Sequence, residues 1–162
     1  MYARIVTFAV RYVQAQDAPV WASLYTGYRA FYDLPDDPAA VRQTWQWILT
    51  QEHGLFGLVA ANPADEPIAL ANLRWFIDPT YPARGLFLDD LFTAPEARQT
   101  GAAQALLRRA AEIAAEGGAN VVRWITASDN TTARRLYDRV ATATEWVTYE
   151  MNPASSGSDG GS

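Results

Sequence analysis

Two adjacent carboxylates, Asp89 and Asp90, interrupt the run Gly85-Leu86-Phe87-Leu88-Asp89-Asp90-Leu91-Phe92-Thr93, which is otherwise almost wholly apolar. Burying an unpaired carboxylate is costly, so acids in such a run need partners, a wet opening or work to do. Carboxylates that open onto a wet cleft are equipped to bind a cation or to take up a proton. In a regular strand Asp89 shares a face with Phe87 and Leu91 while Asp90 shares one with Leu88 and Phe92, which drives one acid into a packed layer. A bulge or a splayed strand end would open both acids to a cleft. The plainer alternative pairs one Asp with an Arg and lets the other cap a turn.

Beyond this run come Ala94-Pro95-Glu96-Ala97 and then Arg98-Gln99-Thr100-Gly101-Ala102-Ala103, small residues leading into a helix. Consecutive backbone N–H groups around a glycine at a helix N-terminus form an anion cradle, to which Arg98 adds a formal charge. Such a turn suits a pyrophosphate, although small residues before a helix also serve simple packing. With one glycine and no lysine it is neither a dinucleotide fingerprint nor a P-loop. A third segment, Asn130-Thr131-Thr132-Ala133-Arg134-Arg135-Leu136-Tyr137, offers Asn130 as a helix cap and a phenol about two turns further along the same helix face. The bland account of it is a cap and a core tyrosine.

Composition removes many other chemistries. The chain of 162 residues has no Cys, so thiol nucleophiles, disulfides and Cys-ligated metals are excluded, and no metal site is expected. All 13 basic residues are Arg, which excludes a Schiff-base lysine. A formal charge of −5 disfavours nucleic acid. No apolar run suggests a membrane span and the start lacks a secretory pattern, so a soluble cytoplasmic protein is expected.

Elements that could hold these residues follow from patterning. Strands are expected at Ile5 to Val13, Leu55 to Ala61, Ile68 to Phe76, Gly85 to Thr93, Val121 to Thr126 (buried) and Ala141 to Met151. Helices are expected from Asp17 to about Tyr32, from Asp37 to near Gly54, over Gly101 to Glu116 and over Asn130 to Val140. That order implies one mixed α/β sheet with helices on its faces. One domain over 1–153 and a Gly/Ser tail over 154–162 are expected, the tail disordered by composition.

In their order and spacing, LDDLFTAPEA, RQTGAA and NTTARRLY make the chain resemble the GCN5-related N-acetyltransferase superfamily over about residues 5–151. LDDLF and the earlier YRAFYD are most similar to its diamine and polyamine N-acetyltransferase branch. The resemblance implies a single, mostly antiparallel sheet with helices on both faces, in which two neighbouring parallel strands splay apart and acetyl-CoA lies in the gap. By the same resemblance, Leu91, Phe92 and Thr93 hold the pantetheine arm and thioester through backbone groups. Arg98, Gln99, Thr100, Gly101, Ala102 and Ala103 hold the pyrophosphate, and Asn130 and Ala133 lie along the cofactor. Tyr137 protonates the departing thiolate. Asp89 acts as base through a water and Asp90 binds the ammonium, roles that a bulge could exchange.

Tyr28, Tyr32 and Trp75 are expected to wall the acceptor pocket, with core packing as the plainer account of each. The family often has Gly where this chain has Gln99 and Ala103, which weakens the expected cradle. Direct attack of an amine on a thioester needs neither enzyme nucleophile nor metal, in keeping with the residue inventory. The expected activity is therefore acetyl transfer from acetyl-CoA to a primary amine of a small cationic molecule, by a homodimer. A protein lysine acetyltransferase and a non-catalytic acyl-CoA-binding module are the alternatives.

Overall fold

The computed structural model describes residues 8–154. By internal contacts the chain divides into two compact units, with the boundary between Ile125 and Thr126. The first unit contains strand β1 (Ala9–Tyr12), helices α1 (Ala18–Phe31) and α2 (Pro38–Leu49), strands β2 (Leu55–Ala61), β3 (Pro67–Asp78) and β4 (Ala83–Thr93), helix α3 (Ala102–Glu116) and strand β5 (Ala119–Arg123). The five strands form one sheet in the order β1-β2-β3-β4-β5. Its first four strands are antiparallel, and β4 and β5 run parallel. This is the mixed, mostly antiparallel, helix-flanked sheet expected above. The Ile5 to Thr7 part of the expected first strand and the Ser155 to Ser162 tail lie outside the described residues.

Local chemistry sets the element ends. Asp37 caps α2, its Oδ1 accepting from the Ala40 N–H at 3.0 Å, with Pro38 in the first turn. The β2–β3 turn is held by Asn62 Oδ1, which accepts from the N–H groups of Ala64 and Glu66 at 3.0 Å each. Helices α1 and α2 bury Trp21, Leu24, Tyr25, Val41, Trp45 and Ile48 against Val59 and Leu70 of the sheet. The Trp21 ring stacks on Tyr25 at 4.8 Å and tilts against Trp45 at 5.1 Å. Gly27 permits the closest approach of α1 to β4, since a Cβ there would stand 3.0 Å from the Phe92 ring. Leu73 and Trp75 alternate to the other face of β3, where the Trp75 ring lies against Gly117 at the end of α3.

Two expectations need correction here. The strand expected at Val121 to Thr126 is β5, Ala119–Arg123, and none of its residues is buried. Among the described residues no strand pairs with its outer edge, and Val121 and Val122 are only partly covered. In the second unit, α4 (Thr131–Val140) begins at Asn130, and the strand expected over Ala141 to Met151 is absent. Alternating Thr, Trp, Val and Tyr give that segment β propensity, but a strand exists only with a paired neighbour, and the segment has none among the described residues. Trp146 and Tyr149 are each 91% exposed.

Candidate active site

The acids of β4 sit at a register break. Asn72 of β3 lies opposite Asp90, yet its neighbour Leu73 lies opposite Leu88, which leaves Asp89 as an extra, unpaired residue. This is the bulge anticipated for the acid pair. Its consequence follows from alternation. Phe87 lies opposite Arg74 and Asp90 opposite Asn72, and Arg74 and Asn72 share one face of β3. Asp89, two residues beyond Phe87, and Asp90 therefore emerge on the same face of the sheet, the face that α1 covers.

Their partners differ. Arg74 Nε donates to Asp89 Oδ1 at 3.0 Å and to Oδ2 at 2.9 Å, and its guanidinium lies 4.5 Å from the centre of the Phe87 ring. The plainer account, one Asp paired with an Arg, thus holds for Asp89. Asp90 receives Asn72 Nδ2 at 2.9 Å and the Tyr28 hydroxyl, both neutral donors. Burial pushes both carboxyls above the ordinary carboxylate range. For Asp89 the Arg74 ion pair opposes that rise, whereas for Asp90 the Asn72 and Tyr28 hydrogen bonds oppose it and the Asp89 charge adds to it. Burial and the nearby Asp90 charge likewise raise the Tyr28 phenol.

Tyr28 belongs to an aromatic ladder along α1. It is near-parallel to Tyr25 at 5.6 Å and tilted against Tyr32 at 5.0 Å, and Phe31 and Tyr32 at the helix end are exposed. The structure therefore brings Tyr28 to the acids and places Tyr32 next along the ladder. Trp75 is not brought to them. It lies on the opposite face, between Gly117 and the Arg84 guanidinium, which is 3.9 Å from its ring centre.

After the bulge, Leu91, Phe92 and Thr93 pair with Ala71, Leu70 and Ala69 of β3. On the other edge, β4–β5 pairing ends at Phe87 opposite Arg123, so Leu88 to Thr93 have no β5 partner. Parallel strands that part at this point leave backbone N–H and C=O groups open on one edge of β4, able to bind an amide-bearing chain as an added strand would. The turn that follows is shaped by Thr100, whose hydroxyl donates to the Ala97 carbonyl at 2.7 Å. Gln99 adopts φ 62° and Gly101 φ 89°, and the space where a Gly101 Cβ would stand is open. The left-handed residues at Gln99 and Gly101 bend the chain tightly into α3, whose first N–H groups have no intrahelical acceptor. Arg98 stands beside the turn, its guanidinium 5.8 Å from the Phe92 ring centre and 6.0 Å from that of Phe31. Gln99 thus takes the backbone conformation for which glycine is the usual residue.

In the second unit, Asn130 Oδ1 accepts from the Ala133 N–H at 3.5 Å and its Nδ2 donates to Thr126 Oγ1 at 3.3 Å, which fixes the start of α4. Tyr137 lies on the same helix.

Asn72 and Arg74 were not anticipated from the sequence. Their signal was present: Asn72 is an amide inside the apolar run Ile68-Ala69-Leu70-Ala71-Asn72-Leu73, and a buried amide must bond to something. Among the described residues, no group of three or more His, Cys, Asp or Glu is placed to hold a metal ion, and no helix is long and apolar enough to cross a membrane.

Residues 21–141 match the Acetyltransferase (GNAT) family, and the chain belongs to that family. It is 24% identical over 144 residues to the D-amino-acid N-acetyltransferase HPA3 of Saccharomyces cerevisiae, covering 88% of this chain and 89% of that one. It is 30% identical over 107 residues to the thialysine N-epsilon-acetyltransferase of Caenorhabditis elegans, covering 63% and 64%.

Among solved structures, a probable acetyltransferase superposes with TM-score 0.81 at 23% identity, covering 90% of this chain and 98% of that one. The aminoglycoside N-acetyltransferase AAC(6')-Iy in complex with CoA gives TM-score 0.79 at 18% identity, covering 95% and 100%. These two likenesses establish the fold. The chain is an acetyl-CoA-dependent acetyltransferase, and its fold implies an acetyl-CoA site.

Proposed function

We propose that the acceptor is the primary amine of a small cationic molecule, polyamine-like or amino-acid-like, acetylated by direct attack in a ternary complex. The observation that supports this most is the placement of Asp89 and Asp90 on one face of the sheet, with Tyr28 hydrogen-bonded to one of them. Carboxylates and an aromatic ladder together attract an ammonium and the carbon chain that carries it. Both named relatives act on amino-acid-like amines, which agrees with this class. The diamine and polyamine similarity of LDDLF and YRAFYD narrows it towards alkyl diamines.

Within this reading, acetyl-CoA supplies the activated acetyl thioester. Arg98, Gln99, Thr100, Gly101, Ala102 and Ala103 hold its pyrophosphate, mainly through main-chain N–H groups, and the open edge of Leu91 to Thr93 holds its pantetheine amides. Backbone N–H groups near Phe92 stabilise the oxyanion as the amine attacks. The acid pair binds the ammonium and removes its proton. By the family resemblance, Asn130 and Ala133 contact the cofactor and the Tyr137 hydroxyl supplies the proton to the leaving thiolate. We expect Tyr137→Phe to lower kcat by at least about tenfold while the acetyl-CoA Kd stays within about twofold, the signature of a group that acts on the leaving atom. Unchanged kcat removes Tyr137 from the mechanism.

Steady-state rates on alkyl diamines, free amino acids and lysine-containing peptides test the substrate class. Turnover on peptides alone would make the chain a protein lysine acetyltransferase, and cofactor binding without turnover on any amine would make it a binding module. A homodimer is part of the same proposal. Trp146, Val147, Tyr149 and Met151 are all exposed, and a second copy covering them would remove that apolar surface from water. A monomer mass in light scattering excludes it.

A further inference from the structure

We infer that Asp90, rather than Asp89, takes the proton from the acceptor amine, with Asn72 and Tyr28 as the residues that position it; this rests on the amine reading above. The two acids are adjacent and share a face, so sequence position does not separate them. Their partners do.

Asp89 carries Arg74 Nε on both oxygens. A guanidinium has five donors and no acceptor, so it can bond both oxygens only while the carboxylate is ionised, and a proton arriving on Asp89 breaks an ion pair and leaves the new O–H without an acceptor on Arg74. Asp90 faces neutral groups. Asn72 Nδ2 donates to Oδ2 at 2.9 Å, and the Tyr28 hydroxyl donates as well. An amide carries both donors and an acceptor, and a hydroxyl is also both, so each partner can serve the carboxylate and the carboxylic acid alike. When Asp90 is ionised, Nδ2 donates to it; when Asp90 is protonated, rotation of the Asn72 amide presents Oδ1 to the new O–H.

Asn72 is placed for such a role. It is 1% exposed, stands directly opposite Asp90 in the ladder, and its Oδ1 is buried with no hydrogen-bond partner among the described residues. A buried amide half-satisfied in one protonation state of its neighbour is a cost that the fold tolerates at this position.

The charged and titratable groups around Asp90 act in both senses, with burial the largest influence. Burial and the Asp89 charge raise its proton affinity, and Arg29 of α1 opposes them from a distance. Burial, and after it the Asp90 charge, raises the Tyr25 and Tyr28 phenols of α1, so both stay neutral, and Arg74 of β3 is engaged by Asp89.

The step balances. The ammonium R–NH3+ gives one proton to the Asp90 carboxylate. The freed lone pair forms the C–N bond at the thioester carbonyl and the C–S bond breaks. The nitrogen sheds a second proton as the thiolate gains one, and Asp90 returns its proton to water. The amide keeps one hydrogen on nitrogen.

The test is the pH dependence of kcat/KM with saturating acetyl-CoA and 1,4-diaminobutane, butylamine or free lysine as probe amine. It compares the parent with Asp90→Asn, Asp89→Asn, Asn72→Ala and Tyr28→Phe. We expect Asp90→Asn to cost at least about 100-fold and to abolish the acidic limb, the usual scale for removing a general base. Asp89→Asn should cost about tenfold or less and retain that limb. Asn72→Ala and Tyr28→Phe should lower the plateau and also move the limb to higher pH, because each removes a donor to the ionised form. A merely structural role would lower the rate without moving the limb.

Carboxyl 13C NMR of the parent, assigned through the bonds to the Asp90 backbone, gives a reading independent of variants. Asp90 should titrate above Asp89. An acidic limb that survives Asp90→Asn and vanishes in Asp89→Asn, or an NMR order reversed between the two acids, overturns the inference while leaving amine acetylation standing. No turnover on any amine by the parent removes the amine reading, and this inference with it.

Discussion

The bulge of β4 and the turn into α3 stand only a few residues apart in the chain, and on the proposed reading each provides half of what acetyl transfer needs, but they are built from different material. At the bulge, function resides in side chains brought from three elements: Asp89 and Asp90 from β4, Asn72 and Arg74 from β3, and Tyr28 from α1. In the turn it resides in the backbone of one continuous segment, bent tightly into α3 by the left-handed residues Gln99 and Gly101. A side-chain site depends on the identity of each residue, because a carboxylate, an amide and a guanidinium have different donors and charges. A main-chain site depends only on conformation, so glutamine can stand where glycine is usual, provided the fold holds its φ at 62°.

Four measurements would break or sharpen that contrast. The largest effect is expected at Asp90→Asn, with kcat/KM down by at least about 100-fold. Stability should move the other way. The carboxyl of Asp90 is raised in the folded protein, so its contribution to stability is present below the ordinary carboxylate range and is lost as pH rises through the folded value. At neutral pH the ionised, buried Asp90 therefore weakens the fold, and Asp90→Asn should melt at or above the parent, the gap closing as pH falls. A melting temperature well below the parent at neutral pH would show that Asp90 is structural.

Next comes Arg74→Gln, which leaves Asp89 without its ion pair. The carboxyl of Asp89, already pushed up by burial, should rise further once the opposing charge is gone. The acidic limb of kcat/KM should then broaden as two coupled acids titrate together, with a loss of roughly tenfold at mildly acid pH. A single, unmoved limb would mean that Arg74 does not control the pair.

A smaller effect is expected in the turn. Arg98→Ala should raise KM for acetyl-CoA by about fivefold with kcat retained, because it removes one charge from an anion site made mainly of N–H groups. A collapse of cofactor binding would make this a side-chain site after all. The smallest change belongs to Gln99→Gly. Relief of left-handed strain, about 1 kcal/mol, is offset by a similar entropic cost of glycine in the unfolded chain. Melting temperature and acetyl-CoA affinity should both stay close to the parent, the latter within about threefold, as calorimetric titration would show.

Much of this molecule was legible along the chain. Strand β2 falls where its apolar run and the turn residues after it put it, α1 and α2 follow their start signals at Asp17 and Asp37, and α3 follows the helical spacing of Ala105, Leu106, Ala110 and Ile113. The acid pair and the Arg98 to Ala103 turn stand out because their residue types conflict with, or punctuate, their surroundings. The strand expected at Ala141 to Met151 failed for a general reason: propensity is a property of the segment, whereas a ladder needs a second strand in register. Trp75 lies on the face of the sheet opposite the acids, a placement that nothing in its own neighbourhood along the chain reveals.

By itself, then, the sequence determined that two carboxylates interrupt an apolar strand and that a small-residue turn opens the longest helix. Only the tertiary structure decided how these meet. A strand's period of two assigns adjacent residues to opposite faces, and the single extra residue at Asp89 cancels that assignment and turns both acids to one side. Where the extra residue falls depends on the register against β3, and so does the choice that gives Asp89 a cation and Asp90 an amide. Register is a relation between two strands, and no one segment of the chain encodes it alone.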